Sequence, residues 1–100
     1  MPTNQTIKDW PEEDRPREKL LSRGAASLSD TELLAIVLRN GNASTGASAI
    51  DQARLLLGQF DGLKGIDEAS VAELTGVKGI GPAKAAEIKA SLEIARRVTG

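Results

Sequence analysis

Leu74-Thr75-Gly76-Val77-Lys78-Gly79-Ile80-Gly81-Pro82-Ala83-Lys84-Ala85-Ala86-Glu87-Ile88 is the stretch on which the fold turns. Leu74 and Val77 are apolar at helical spacing, Gly79 and Gly81 bracket a single Ile80, and Ala85 and Ile88 resume the apolar period. The two glycines permit backbone conformations closed to other residues and allow another chain to approach with no Cβ in the way. Ile80 between them is then free to turn inward as an anchor. Pro82 suits a helix start, because its missing N–H would be unpaired there in any case. The spacing therefore predicts a short helix ending near Thr75, a tight turn over Gly76 to Gly81, and a long helix from Pro82 to about Val98 with Ala85, Ile88, Leu92 and Ala95 on its inner stripe.

Such a unit is a helix-hairpin-helix, here spanning roughly Val71 to Ala95. The amides of Gly79 and Gly81, followed by those of Ala83 and Lys84, lie where the dipole of the last helix is positive, and they form a nest suited to a phosphate oxygen. The candidate DNA-phosphate-binding residues are Gly79, Ile80, Gly81, Ala83 and Lys84, with Lys78 beside the turn adding screened attraction. Contacts of this kind touch the sugar-phosphate chain alone, so binding is expected to be independent of base sequence. From residue 78 to residue 100 five basic residues face two acidic ones, a local surplus of three, although the whole chain carries a net charge of -1.

Working back toward the N-terminus, Ser70 with Glu73 fits a capping box that opens the short helix. Leu63 to Ile66 offers one apolar turn. Ile50, Ala53, Leu56, Leu57 and Phe60 define an amphipathic helix from about Ala47, closed by Asp61-Gly62. Ser29-Asp30-Thr31-Glu32 fits another capping box, and a helix is expected from Asp30 to Leu38, apolar on more than one face and hence central, with Asn40-Gly41 as its left-handed stop. Arg17 to Arg23 reads as a short helix after Pro16, with Leu20 and Leu21 toward the core. Residues 1–16 form an extended lead-in, in which Trp10 packs as an anchor, and residues 17–100 form the domain proper. The basic group Arg15, Arg17, Lys19 and Arg23 lies among acidic neighbours, so intrahelical pairing is expected there.

The order of elements suggests a duplicated unit. Leu33 to Leu38, a loop over Asn40 to Gly46 and a helix to Leu57 form a first helix-loop-helix, but its loop lacks a Gly-Ile-Gly turn and that copy reads as degenerate. The fold class is all-α, a compact bundle of five to six helices.

Composition narrows the chemistry. The 100 residues suffice for one core, and with one Trp and one Phe that core must come from Leu, Ile, Val and Ala. Cys and His are both absent, which excludes disulfides, thiol nucleophiles, histidine bases and zinc sites built on those ligands, so no catalytic residue and no metal site is assigned. No stretch approaches the roughly 20 apolar residues of a membrane span, and a soluble, cytoplasmic protein is expected. An enzymatic reading would need a glycosylase-type Asp beyond the hairpin, and none follows Asp67; Lys78 or Lys84 as a Schiff-base nucleophile has no apolar pocket in view. The competing reading is a helical adaptor that docks a neighbouring domain.

Ile7 to Leu21, Leu28 to Ile36 with Leu38-Arg39-Asn40-Gly41, and Val77 to Ala86 together resemble the N-terminal domain of the RadC family of bacterial proteins, historically labelled DNA repair proteins. That resemblance implies a tandem helix-hairpin-helix similar to SAM domains and to the second domain of RuvA, with DNA as partner. It also implies a following JAB/MPN metalloprotease-like domain with a His-rich zinc motif, which this sequence does not contain; the chain reads as a truncated or isolated domain. Asn40 stands where the family commonly has Thr. The hairpin is similar to those of DNA polymerases and ligases, which implies a monovalent cation on the backbone carbonyls of Thr75, Val77 and Ile80 and no other cofactor.

Overall fold

A computed structural model of the chain describes residues 15–39 and 48–100. The expectations for Trp10, for the Asn40-Gly41 stop and for the Asn42 to Gly46 loop lie outside them. The described residues form helices α1 (Pro16–Arg23), α2 (Asp30–Leu38), α3 (Ala49–Gln59), α4 (Leu63–Glu68), α5 (Val71–Thr75) and α6 (Pro82–Thr99), with a single 3-10 turn at Ala25–Ser27 and no strand. The fold is all-α. Among the described residues no helix is long and apolar enough to cross a membrane.

Local chemistry starts three of these helices in the same way. At α2 the Ser29 amide donates to Glu32 Oε1 at 2.9 Å while the Glu32 amide donates to Ser29 Oγ at 3.2 Å. Ser70 and Glu73 repeat the arrangement at α5, at 2.9 and 3.1 Å. Ser48 and Asp51 build it at α3, two residues later than the expected start at Ala47. Each box satisfies two amides that a helix end otherwise leaves unpaired. The pattern apolar-Ser-x-x-Glu-Leu occurs at Leu28 to Leu33 and again at Ala69 to Leu74, and Leu28 and Ala69 are both buried, so α2 and α5 start alike.

α2 lies against α3, and α6 packs on both α2 and α5. Leu34, Ala35 and Leu38 from α2 meet Ile50, Ala53 and Leu56 from α3 and Ile66 from α4, and this core continues through Leu74, Val77, Ile80, Ala85 and Ile88. Leu56, Ile66 and Leu74 are fully enclosed, each contributing about 1.5–3 kcal/mol from burial. Gly65 is what allows α4 to sit so close: a Cβ there would lie 1.5 Å from the Phe60 carbonyl oxygen.

Several expectations require correction. Leu20 is half-buried but Leu21 is 76% exposed, because adjacent residues on a helix diverge by about 100° and one face alone of α1 meets α2. The inner stripe of α6 holds at Ala85, Ile88 and the partly buried Leu92, whereas Ala95 is exposed with everything from Glu93 onward. Lys19 does not pair within its own helix; its ammonium reaches Glu32 of α2 at 3.2 Å, adding a cation to the capping box. The Ser29 amide first, and Lys19 after it, hold the Glu32 carboxyl below its ordinary range. α2 ends at the expected Leu38, with Arg39 as its C-cap at φ 62.

Candidate nucleic-acid interface

Between α5 and α6 the chain closes by successive short-range bonds. The Gly76 amide donates to the Ala72 and Glu73 carbonyls, Val77 N–H to Leu74 at 3.1 Å, and Ile80 N–H to Val77 at 3.0 Å. Ile80 is 3% exposed and belongs to the same apolar cluster as Leu74, Val77, Ala85 and Ile88, so the turn is pinned from inside. Gly79 sits at φ +87, a region that L side chains rarely adopt, and it requires glycine on backbone grounds. Gly81 does not: its φ of -89 and ψ of -177 are ordinary extended values. A Cβ placed there would meet nothing within 4 Å. The expectation that both glycines serve the backbone is thus corrected, and the fold gives no reason of its own for a bare Cα at 81.

α6 begins without a cap. Gly81 supplies no side-chain bond and the first turn contains no acidic residue, unlike α2, α3 and α5. No oxygen of the described residues accepts from the amides of Gly79, Gly81 or Ala83. Gly79, Gly81 and Ala83 are solvent-exposed, as is Lys78. The positive end of an 18-residue helix and three unsatisfied donors therefore occupy one exposed corner. Thr75 ends α5, and Val77 and Ile80 belong to the turn itself, with the Val77 carbonyl accepting the Ile80 amide and keeping one lone pair.

The basic surplus of the C-terminal stretch is largely spent on the fold. Lys84 is half-buried and donates to Gln52 Oε1 of α3 at 2.7 Å. Lys89 donates to the carbonyls of Asp67 and Ala69 at 2.7 and 2.9 Å, capping the end of α4. Arg96 binds Asp67 and Glu93, and Arg97 binds Glu93. These two arginines, Arg96 first, hold the Glu93 carboxyl below its ordinary range. Within 78–100, Lys78 alone has no ion pair or side-chain hydrogen bond to the described residues. Counting charges along the sequence could not reveal this, because the partners come from α3 and α4. Gln52, 2% exposed, likewise escaped the sequence reading: a glutamine in an amphipathic helix looks like a surface residue until the packing is known.

The sequence matches the family described as UPF0758 N-terminal over residues 7–86. It is 63% identical over 91 residues to a UPF0758 protein of Syntrophotalea carbinolica, covering 91% of this chain and 40% of that protein. A UPF0758 protein of Trichlorobacter lovleyi is 58% identical over 96 residues, covering 95% of this chain and 42% of the relative. One from Geotalea uraniireducens is 55% identical over 91 residues, covering 91% and 40% respectively. The chain thus spans about 40% of the length of the curated relatives it matches. No solved structure matches it.

Proposed function

The chain belongs to the UPF0758 family, and from that membership and the form of the turn between α5 and α6 we propose that it binds DNA through backbone amides, without reading base sequence. What supports this is the bare helix start: Gly79, Gly81 and Ala83 present amides that no described protein oxygen accepts, at a position where the fold itself has no use for the missing Cβ of Gly81. A phosphate oxygen satisfies those donors and the helix dipole together. Lys78 adds one screened charge. With the other cations of this stretch committed to protein partners, binding is local and weak, and its salt dependence is shallow, on the order of 0.9 in log K per log salt for each phosphate neutralised. A monovalent cation on the carbonyls of Thr75, Val77 and Ile80 would brace the turn from beneath. In this reading the chain is the DNA-positioning, non-catalytic module of a RadC-like, DNA-repair-associated protein whose JAB/MPN domain lies elsewhere.

Fluorescence anisotropy with labelled duplex and single-stranded DNA across a salt series, comparing the wild type with Gly81→Val and Lys78→Glu, tests it. Both substitutions weaken binding; three coincident curves would show that the surface is wrongly assigned.

A second reading is favoured by Ile94 and Val98, which are 64% and 80% exposed on α6. They suit a helical adaptor that docks a neighbouring domain of the longer relatives. Under that reading Ile94→Asp abolishes the domain contact and DNA binding is absent.

A further inference from the structure

Among the described residues, Gln52 is the one polar or charged residue buried with the core. Its Nε2 has no hydrogen-bond partner among the described residues, and its Oε1 accepts from the Lys84 ammonium at 2.7 Å. A buried amide with an orphaned donor is costly, so the contact it makes through its other atom calls for a reason. The two residues are 32 apart in sequence. The same separation relates Ala53 to Ala85, both 0% exposed, and Leu56 to Ile88, at 0% and 2%. Gln52, the fourth residue of α3, and Lys84, the third of α6, each stand one residue before a fully buried alanine.

We propose that Gln52 and Lys84 form a positioning pair between α3 and α6: Gln52 Oε1 draws the Lys84 ammonium inward, so that Lys84 seats the start of α6 against α3 instead of contacting phosphate. The idea deepens the DNA-binding reading and rests on it for one of its readouts. It also reassigns Lys84, which sequence spacing alone would place among the phosphate-binding cations. An exposed lysine beside a helix start is a ligand for anions. A half-buried one bonded to an enclosed side chain of another helix is a strut, and its loss alters where the Gly79, Gly81 and Ala83 amides lie.

The test compares Lys84→Met, Gln52→Leu, the double variant and Gln52→Glu with the wild type, by amide NMR of the free protein and by anisotropy with duplex DNA across salt. Each single apolar variant moves the Gly79, Gly81 and Ala83 resonances and lowers affinity roughly five-fold with an unchanged salt slope. The double variant recovers to within about two-fold of wild type, because two apolar groups replace two polar ones. Gln52→Glu keeps the acceptor and retains the wild-type resonances and affinity, and with Lys84→Met it carries the comparison if Gln52→Leu fails to fold. A Lys84→Met slope shallower by about 0.9, with no recovery in the double variant, would mean a direct phosphate contact and overturn the proposal. Should the wild type bind no DNA, the phosphate reading fails by itself. The pair is then judged on the resonances: unmoved in both single variants, they refute it; moved and restored in the double variant, they uphold it.

Discussion

Replacing Gly81 with serine should make the protein more stable and a poorer DNA binder at once. α2, α3 and α5 all start on a serine whose hydroxyl accepts an amide of the first turn, and α6 starts on a glycine that accepts none. The backbone at 81, φ -89 and ψ -177, is the extended conformation of those serine caps, and a new Cβ meets nothing within 4 Å. Losing the glycine's freedom in the unfolded chain stabilises by about 0.4–1 kcal/mol, and a serine cap adds a few tenths over glycine. The sum, about 1 kcal/mol, raises Tm by roughly 4–8 °C for a domain of this size. The same hydroxyl now occupies a first-turn amide and stands where a phosphate oxygen would approach. Losing one charge-assisted hydrogen bond, about 1.5–3 kcal/mol, lowers affinity roughly ten-fold or more. Thermal unfolding by circular dichroism and anisotropy with labelled duplex are read on the same samples. A Gly81→Ser protein that melts higher and binds DNA as tightly as the wild type would mean that phosphate does not use the start of α6.

Gly65→Ala drives a Cβ to within 1.5 Å of the Phe60 carbonyl, so α4 must shift and urea denaturation should show a loss of about 3 kcal/mol or more; an unchanged midpoint would contradict the packing. Ile80→Ala empties the plug beneath the turn, 3% exposed in the wild type, and should cost about 2–4 kcal/mol by the same assay, with a loss under 1 kcal/mol placing the side chain outside the core. The capping carboxylates make stability acid-sensitive. The Ser29 amide lowers the Glu32 pKa and the Ser70 amide that of Glu73, each from an ordinary 4.5. Folded values below the unfolded ones mean that their contribution is complete above 4.5 and is lost as pH falls through the folded pKa. The urea midpoint should hold from about pH 7 to 5 and fall below that, less steeply in a Glu32→Gln, Glu73→Gln double variant; equal slopes would remove the caps from the account.

Where the sequence was informative, the chemistry was local. The boxes at Ser29 and Ser70 were legible because a serine and a glutamate three residues apart satisfy each other within a single turn. The bounds of α2 and the start of α6 at Pro82 follow from the same kind of signal. What resisted reading depends on other elements. Leu20 and Leu21 are alike as residues, and α2 alone decides which one is covered. The stripe ending at Ala95 records a face of α6 but not how far its partner extends. Gly79 and Gly81 look equivalent in a Gly-Ile-Gly string, yet one needs a positive φ and the other does not. Gly65 and Gln52 matter because of what lies across from them, Phe60 and Lys84, and neither contact leaves a periodic trace.

On this reading, main-chain donors at the start of α6 hold the anionic strand. The decisive measurement follows amide resonances by 15N-1H NMR during titration with an unlabelled duplex. Gly79, Gly81 and Ala83 should shift progressively and saturate together, reversibly with salt, while the exposed end of α6 near Val98 stays still. Movement confined to Val98 and its neighbours, or none at any of the three amides at saturating DNA, would contradict it.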